Sequence, residues 1–212
     1  MASVISVNVA VPRLVVGIGM SGIDKQPTPG PVTIAVPGDG DSGVGGDEIF
    51  EKDVHGGIDQ AVYAYAREDL DTWQDDVGRP LSNGHFGENL TTGGVDVTGA
   101  LIGERWRIGA EVELEVSSPR LPCNTFARWM DEPRWVKRFT SRALPGAYLR
   151  VVAPGTIRAG DAVEVVHRPA HGLTIGDTFR ALTIEPALLP RLIDVEELPA
   201  YMRERAIRRT TS

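Results

Sequence analysis

The sequence predicts a mainly β protein: an antiparallel β-barrel over residues 1–168 with a few helices, then a small three-helix tail over residues 169–212. Three observations carry this expectation. Glycine (24) and proline (15) are plentiful among 212 residues while aromatics make up 6%, which favours a barrel or sandwich over a helical bundle. The apolar segments between these punctuators are short, and several alternate with the period of a strand. After Pro169 the alternation gives way to helix-start signals. The length suits one well-packed domain with a small appendage.

Residues 4–18 read as a strand pair broken at Pro12 and ending in Val15-Val16-Gly17. The stretch Gly17-Ile18-Gly19-Met20-Ser21-Gly22 fits the dinucleotide-binding spacing, but that pattern needs a helix to open at its third glycine. Pro27, Pro29 and Pro31 forbid one, so these glycines are turn residues. Val32 to Val36 is a strand. Residues 37–48 are rich in glycine and acid. Asp39 and Asp41 begin like a calcium loop, but Gly43, Val44 and Phe50 stand where that loop requires other residues. The segment 38–47 therefore reads as a mobile surface loop, dispensable for folding.

Asp59 is placed to cap a helix whose apolar residues Val62, Tyr65, Ala66, Leu70 and Trp73 recur at helical spacing before Gly78 stops it. Residues 81–98 hold a Phe86-Gly87-Glu88-Asn89 turn and a polar connection. Leu101 to Val116 is a hairpin turning near Gly109-Ala110. Its second strand sets Glu111, Glu113 and Glu115 on a wet face and Val112, Leu114 and Val116 on a buried one. Residues 125–140 form a helix interrupted at Pro133. Tyr148 to Val152 and Ala162 to Val166 are strands that close the barrel. In the tail, Thr174 and Asp177 have capping-box spacing, and Glu185-Pro186 and Leu198-Pro199 start two further helical segments.

The net charge is −7 and no run of Lys or Arg exceeds a pair, which speaks against nucleic acid as a partner. One cysteine forms no internal disulfide, and no apolar run approaches the ~18 residues of a membrane helix. The N-terminal residues lack the basic and apolar regions of a signal peptide, so a cytoplasmic protein is expected.

That one cysteine, Cys123, stands in Ser117-Ser118-Pro119-Arg120-Leu121-Pro122-Cys123, directly after the alternating strand. Pro119 and Pro122 each fix φ and remove a donor, so the segment between them is an ordered loop carrying a cation and a thiol three residues apart. From the residue alone, Cys123 is either a small buried hydrophobe or a soft ligand. His55, beside Gly56 and Gly57, either lines a site that a ligand approaches closely or simply hydrogen-bonds its neighbours.

Four stretches in order resemble the MOSC-domain family, named after the C-terminal domain of molybdenum cofactor sulfurases. These are Val54-His55-Gly56-Gly57-Ile58-Asp59-Gln60-Ala61-Val62, Gly84-His85-Phe86-Gly87-Glu88-Asn89-Leu90-Thr91, the cysteine segment, and Gly146-Ala147-Tyr148-Leu149-Arg150. The likeness spans most of residues 1–168 and is nearest to the small bacterial stand-alone members that reduce N-hydroxylated purines, some of which carry a helical tail. It implies a MOSC-type barrel and a molybdenum cofactor (molybdopterin with Mo). Cys123 would be the metal ligand and catalytic residue, with Lys25, His55, Asn89, Arg120 and Cys123 as cofactor-binding residues. Asn89 would present the acceptor and donor that a pterin edge requires, its other reading being a turn-former.

The implied reaction is two-electron oxo transfer at molybdenum, taking oxygen from an N-hydroxylated substrate. The sequence offers no flavin, haem or iron–sulfur motif, so a separate electron-donor protein is expected, and a homodimer is one assembly left open. Two other classes stay in play: a sulfur carrier or cofactor-handling protein using a Cys123 persulfide, and a plain binding protein.

Overall fold

The computed structural model describes residues 1–52 and 55–211. Val54, the first residue of the histidine–diglycine stretch, lies outside the described residues. Twelve strands follow in chain order: β1 Ser3–Ala10, β2 Arg13–Val15, β3 Gly19–Ser21, β4 Lys25–Pro27, β5 Val32–Ile34, β6 Val62–Ala66, β7 Leu90–Gly93, β8 Arg105–Ile108, β9 Val112–Pro119, β10 Ala147–Ala153, β11 Gly155–Ile157 and β12 Val163–His167. Eight form one sheet in the order β12-β8-β9-β10-β6-β7-β1-β4. Its pairs are antiparallel except β6 with β7, which run parallel. β2 pairs with β3 and β5 with β11 in two small ribbons.

The closed barrel expected from the sequence is not formed as a continuous ladder. The edge of β1 that faces away from β7 is divided: Asn8–Ala10 pair with β4, and Ser3 makes a single bridge to Ala162. Around that bridge, Val4 N–H donates to Asp161 O (2.9 Å) and Val163 N–H to Ala2 O (3.0 Å). The two ends of a large, curled mixed sheet therefore touch at one point, because the same strand edge also serves β4.

β9 shows the predicted alternation. Val112, Leu114 and Val116 are fully buried, while Glu115 faces the polar side and accepts from Arg105 Nε (3.0 Å) and Arg150 (3.0 Å). The predicted helix from Asp59 begins later than expected. Ile58–Gln60 is one 3-10 turn, Val62–Ala66 is β6, and helix α1 covers Arg67–Val77. All five residues of β6 are buried, with Val62, Ala64 and Ala66 in one apolar cluster and Tyr63 and Tyr65 in the other. A central strand covered on both faces reads as a continuous apolar run, and here that run mimicked helical spacing. The predicted stop holds: Gly78 takes φ 69° and its N–H returns to Gln74 O.

Helices α2 (Asn124–Met130) and α3 (Trp135–Arg142) flank Pro133, as the proline required. In the tail, α4 (Ile175–Thr183) starts on Thr174, whose Oγ1 accepts from Asp177 N–H at 2.9 Å. A 3-10 helix (Pro186–Leu192) and α5 (Ala200–Thr210) follow. Ile175, Leu182, Leu189, Met202 and Ala206 bury in the same apolar cluster as β9 and β10. A second, aromatic cluster packs Tyr65, Trp73, Phe86, Phe126, Trp135, Phe139 and Phe179 between the sheet and α1 to α4.

The 38–47 loop is packed rather than free, which corrects the sequence expectation. Val44 is buried, Gly43 N–H donates to Ala61 O (2.7 Å), Gly45 N–H to Thr33 O (2.8 Å), and Ala35 N–H to Gly43 O (2.9 Å). These bonds pin the loop to β5 and to the entry of β6. Its low content of large apolar residues hid this, because the attachment is made by backbone groups. Shortening the loop to a few residues should lower the melting temperature by several degrees, since burying Val44 alone is worth about 2 kcal/mol. An unchanged melting temperature in a calorimetric scan would show that the loop contributes nothing.

Candidate active site

The Phe86–Asn89 turn is held by a buried carboxylate. Glu88 accepts from Gly84 N–H (2.6 Å), Phe86 N–H (3.0 Å) and Thr91 Oγ1 (2.9 Å). Burial raises its pKa, and those hydrogen bonds pull the other way. Gly84 sits at φ 86° with the backbone of Lys25 where a Cβ would stand. Gly84→Ala is therefore expected to lose about 2 kcal/mol or more in urea melts, as both a left-handed strain and a backbone clash. Loss of less than ~0.5 kcal/mol would show that β4 and the turn are not in register as described.

This turn, β4, the start of β6, the Pro119–Cys123 loop, residues 47–51 and His55-Gly56 converge on one cleft of about 680 Å³ counted out to open solvent. Lys25, His55, Asn89, Arg120 and Cys123 all line it. The five residues singled out in the sequence thus meet at one place, although 98 positions separate the first from the last.

Cys123 is half-buried and caps α2, its Sγ accepting from Phe126 N–H at 3.4 Å. Burial pushes its thiol pKa up, but a hydrogen bond from His55, the Arg120 charge and the Phe126 N–H outweigh it and bring the value down to about 7. Cys123 thus packs partly against the aromatic cluster while its thiol faces a cation and an imidazole. His55 also lies 3.5 Å from Glu51, whose other oxygen accepts from Thr125 Oγ1 at 2.9 Å. Arg120 is buried at 6% exposure. Its guanidinium lies 3.9 Å from the Phe126 ring centre and 5.3 Å from that of Tyr63, and it donates to Phe86 O.

Two of the residues that the family resemblance implies as cofactor contacts change character. Asn89 uses its amide on the fold: Oδ1 accepts from Tyr63 N–H (3.1 Å), and Nδ2 donates to Asp47 Oδ2 (2.9 Å) and Asn8 O (3.3 Å). With those partners in place it is a strut for the cleft wall, and its direct pterin contact is not supported. Lys25 is paired with Asp47, whose side chain is 1% exposed and also binds Ser42 Oγ (2.8 Å) and Ala10 N–H (2.9 Å). Burial lowers the Lys25 pKa while Asp47 raises it. The two charges largely cancel, so Arg120 supplies most of the net positive field in the cleft.

Sequence reasoning missed Asp47, Tyr63, Tyr148 and Gln60. Asp47 lies in a loop whose glycine-rich, acidic composition conceals it. Burial pushes the Tyr148 pKa up to about 12, so its phenol stays protonated and faces the cleft as a donor. Gln60 lines the cleft, and its Oε1 is buried with no hydrogen-bond partner among the described residues.

The thiol value is directly testable. Alkylation of Cys123 by iodoacetamide should rise with pH through a midpoint near 7 and not near the ~8.5 of a free cysteine. Substituting His55 or Arg120 by alanine should move that midpoint up. A wild-type midpoint at or above 8.5 would remove the proposed activation.

A curled mixed sheet with helices on its flanks and an arginine-backed cleft lined by one cysteine defines a small β-rich protein with a single thiol at its candidate site. The chain belongs to the MOSC domain family, whose model matches residues 51–164, more than half of its length. MOSC domains are associated with binding a molybdenum cofactor. The crystal structure of YiiM from Geobacillus stearothermophilus superposes with a TM-score of 0.80 at 27% identity, covering 99% of each chain. The uncharacterized protein YflK of Bacillus subtilis (strain 168) is 35% identical over 121 residues, 57% of this chain and 54% of YflK. A protein named Reductase from Gibberella moniliformis is 31% identical over 185 residues, 84% of this chain and 31% of that protein. The matched regions thus span between about a third and about half of these two relatives. Among the described residues, no helix is long and apolar enough to cross a membrane.

Proposed function

We propose that this chain is a molybdenum-cofactor-binding oxidoreductase that reduces N-hydroxylated substrates, with Cys123 as the protein ligand to the metal. The observation that supports this most is a half-buried cysteine lining the cleft beside His55 and Arg120, which together bring its thiol pKa down to about 7. The residues present fit the group: a soft thiolate suits a sulfur-rich metal centre, Arg120 offsets the negative charge of a pterin dithiolene, and the unpartnered Gln60 Oε1 can accept from a pterin or substrate N–H. When bound, the cofactor supplies the two-electron oxo-transfer chemistry.

The reaction consumes R–NH–OH, two electrons and two protons and gives R–NH2 and water; the N–O bond breaks and nitrogen is reduced. The electrons come from a separate donor protein. The chain itself holds and orients. Arg120 and His55 favour the thiolate of Cys123, Arg120 is fixed by the Phe126 ring and Phe86 O, and Tyr148 lines the cleft with its phenol protonated. Lys25, which lines the cleft and is paired with Asp47, would be a further contact for the cofactor. We further propose a cytoplasmic setting without nucleic-acid or membrane partners.

The same low-pKa thiol favours a second reading, a sulfur carrier that works through a Cys123 persulfide. Protein purified from a cofactor-competent host, reduced with dithionite and given a hydroxylaminopurine, separates the two. The proposal expects conversion to the aminopurine, seen by chromatography. Molybdenum-loaded protein that leaves the hydroxylamine intact would overturn it.

A further inference from the structure

The cleft does not end at Cys123. A second chamber shares Cys123, His55, Gln60 and Tyr148 with the first and continues outward to Tyr201, Met202 and Arg205 of α5. It is the roomier of the two, about 1620 Å³ against 680 Å³, both counted out to open solvent. Cys123 thus stands between an inner, cation-backed pocket and an outer chamber whose far wall belongs to the helical tail.

The tail's contribution is specific. On α5, Met202 and Ala206 bury in the core, whereas Tyr201, 47% exposed, and Arg205, also exposed, lie four residues apart on the face toward the chamber. Among the described residues, no ion pair or hydrogen bond engages the Arg205 guanidinium. Lys52 also lines the chamber and pairs with Asp41 at 2.6 Å. The acidic side chain in the lining is Glu51, and it is engaged with His55 and Thr125. The chamber therefore offers an aromatic surface, an unpaired planar cation, and Gln60, whose side chain is hydrogen-bonded to the Tyr201 phenol while its Oε1 has no partner among the described residues.

Resting on the reductase reading above, we propose that this outer chamber is the substrate subsite, and that Tyr201 and Arg205 select N-hydroxylated bases carrying a phosphate, that is nucleotides, over the free base or nucleoside. A heteroaromatic ring stacks on the tyrosine, Gln60 accepts from its exocyclic N–H, and the guanidinium binds the phosphate with paired hydrogen bonds, a geometry lysine does not match.

The test is calorimetric titration of AMP and of adenosine into protein purified from a cofactor-competent host, for wild type, Arg205→Gln and Tyr201→Ala. Wild type should bind AMP roughly tenfold or more tightly than adenosine, the scale of one charge-assisted contact. Arg205→Gln should abolish that preference while leaving adenosine affinity and the melting temperature unchanged, because Arg205 is exposed and unpaired. Tyr201→Ala should weaken both ligands. Equal affinities in wild type, a preference that survives Arg205→Gln, or no binding of either ligand overturns the inference. The two readings fail separately: an Arg205-dependent AMP preference without hydroxylamine reduction sinks the reductase assignment and keeps the subsite, and reduction with no phosphate preference does the reverse.

Discussion

Asp47→Ala is expected to cost about 3–5 kcal/mol of folding stability at neutral pH, the scale for removing one partner of a buried ion pair. The carboxylate touches Lys25, Asn89, Ser42 and the Ala10 N–H, and its side chain is essentially inaccessible, so its loss strands a lysine charge and three other polar groups. The pH dependence has a defined sign. Burial holds the folded-state pKa of Lys25 below its ordinary 10.5, so the folded chain binds fewer protons than the unfolded chain in the interval between the two values. Stability contributed by this group therefore rises with pH toward 10.5. In Asp47→Ala the folded-state pKa falls further, so the rise starts at lower pH and the deficit shrinks as pH climbs. Adding Lys25→Met to the variant should restore most of the lost stability. Urea melts of the two single variants and the double variant complete the cycle. A single-variant cost under ~1 kcal/mol would show that the pair does not hold the cleft.

Cys123→Ser is expected to abolish N-hydroxy reduction while leaving the fold nearly intact. Oxygen replaces sulfur at almost the same volume, at a half-buried position where the new hydroxyl can keep the capping bond from Phe126 N–H, so packing changes little. The chemistry changes a great deal. A thiol that ionises near pH 7 is replaced by an alcohol that does not ionise there and is a hard ligand. The reading of Cys123 as a packed hydrophobe predicts a different result: a stability loss of about 1–3 kcal/mol from an unsatisfied hydroxyl, with activity per folded molecule unchanged. Thermal melts and turnover measured on one preparation tell them apart.

How much of this was legible in the sequence follows from the range of the interactions involved. The Cys123 loop was readable because Pro119 and Pro122 dictate backbone locally, and the C-terminus of α1 because Gly78 takes the left-handed conformation that ends a helix. The capping box at Thr174 and Asp177 formed as its spacing required. What failed was non-local. Whether Val62–Ala66 is strand or helix is decided by β10 on one side and β7 on the other, and no window around residue 62 contains either. Asp47 takes its role from Lys25, 22 positions earlier, and Asn89, 42 positions later. Asn89 looked available because its partners are groups on distant segments. The sharing of one β1 edge between β4 and Ala162, which keeps the barrel from closing as a full ladder, is likewise a property of three segments at once.

The central claim is that Cys123 holds molybdenum, and metal content tests it most directly. Wild type and Cys123→Ser, expressed side by side in a cofactor-competent host and purified identically, are compared by elemental analysis for molybdenum per folded chain. The account predicts molybdenum approaching one atom per wild-type chain, with most of it lost, or its absorption spectrum altered, in Cys123→Ser at an unchanged melting temperature. Equal molybdenum content with identical spectra in the two proteins, or no molybdenum in wild type from that host, would contradict it.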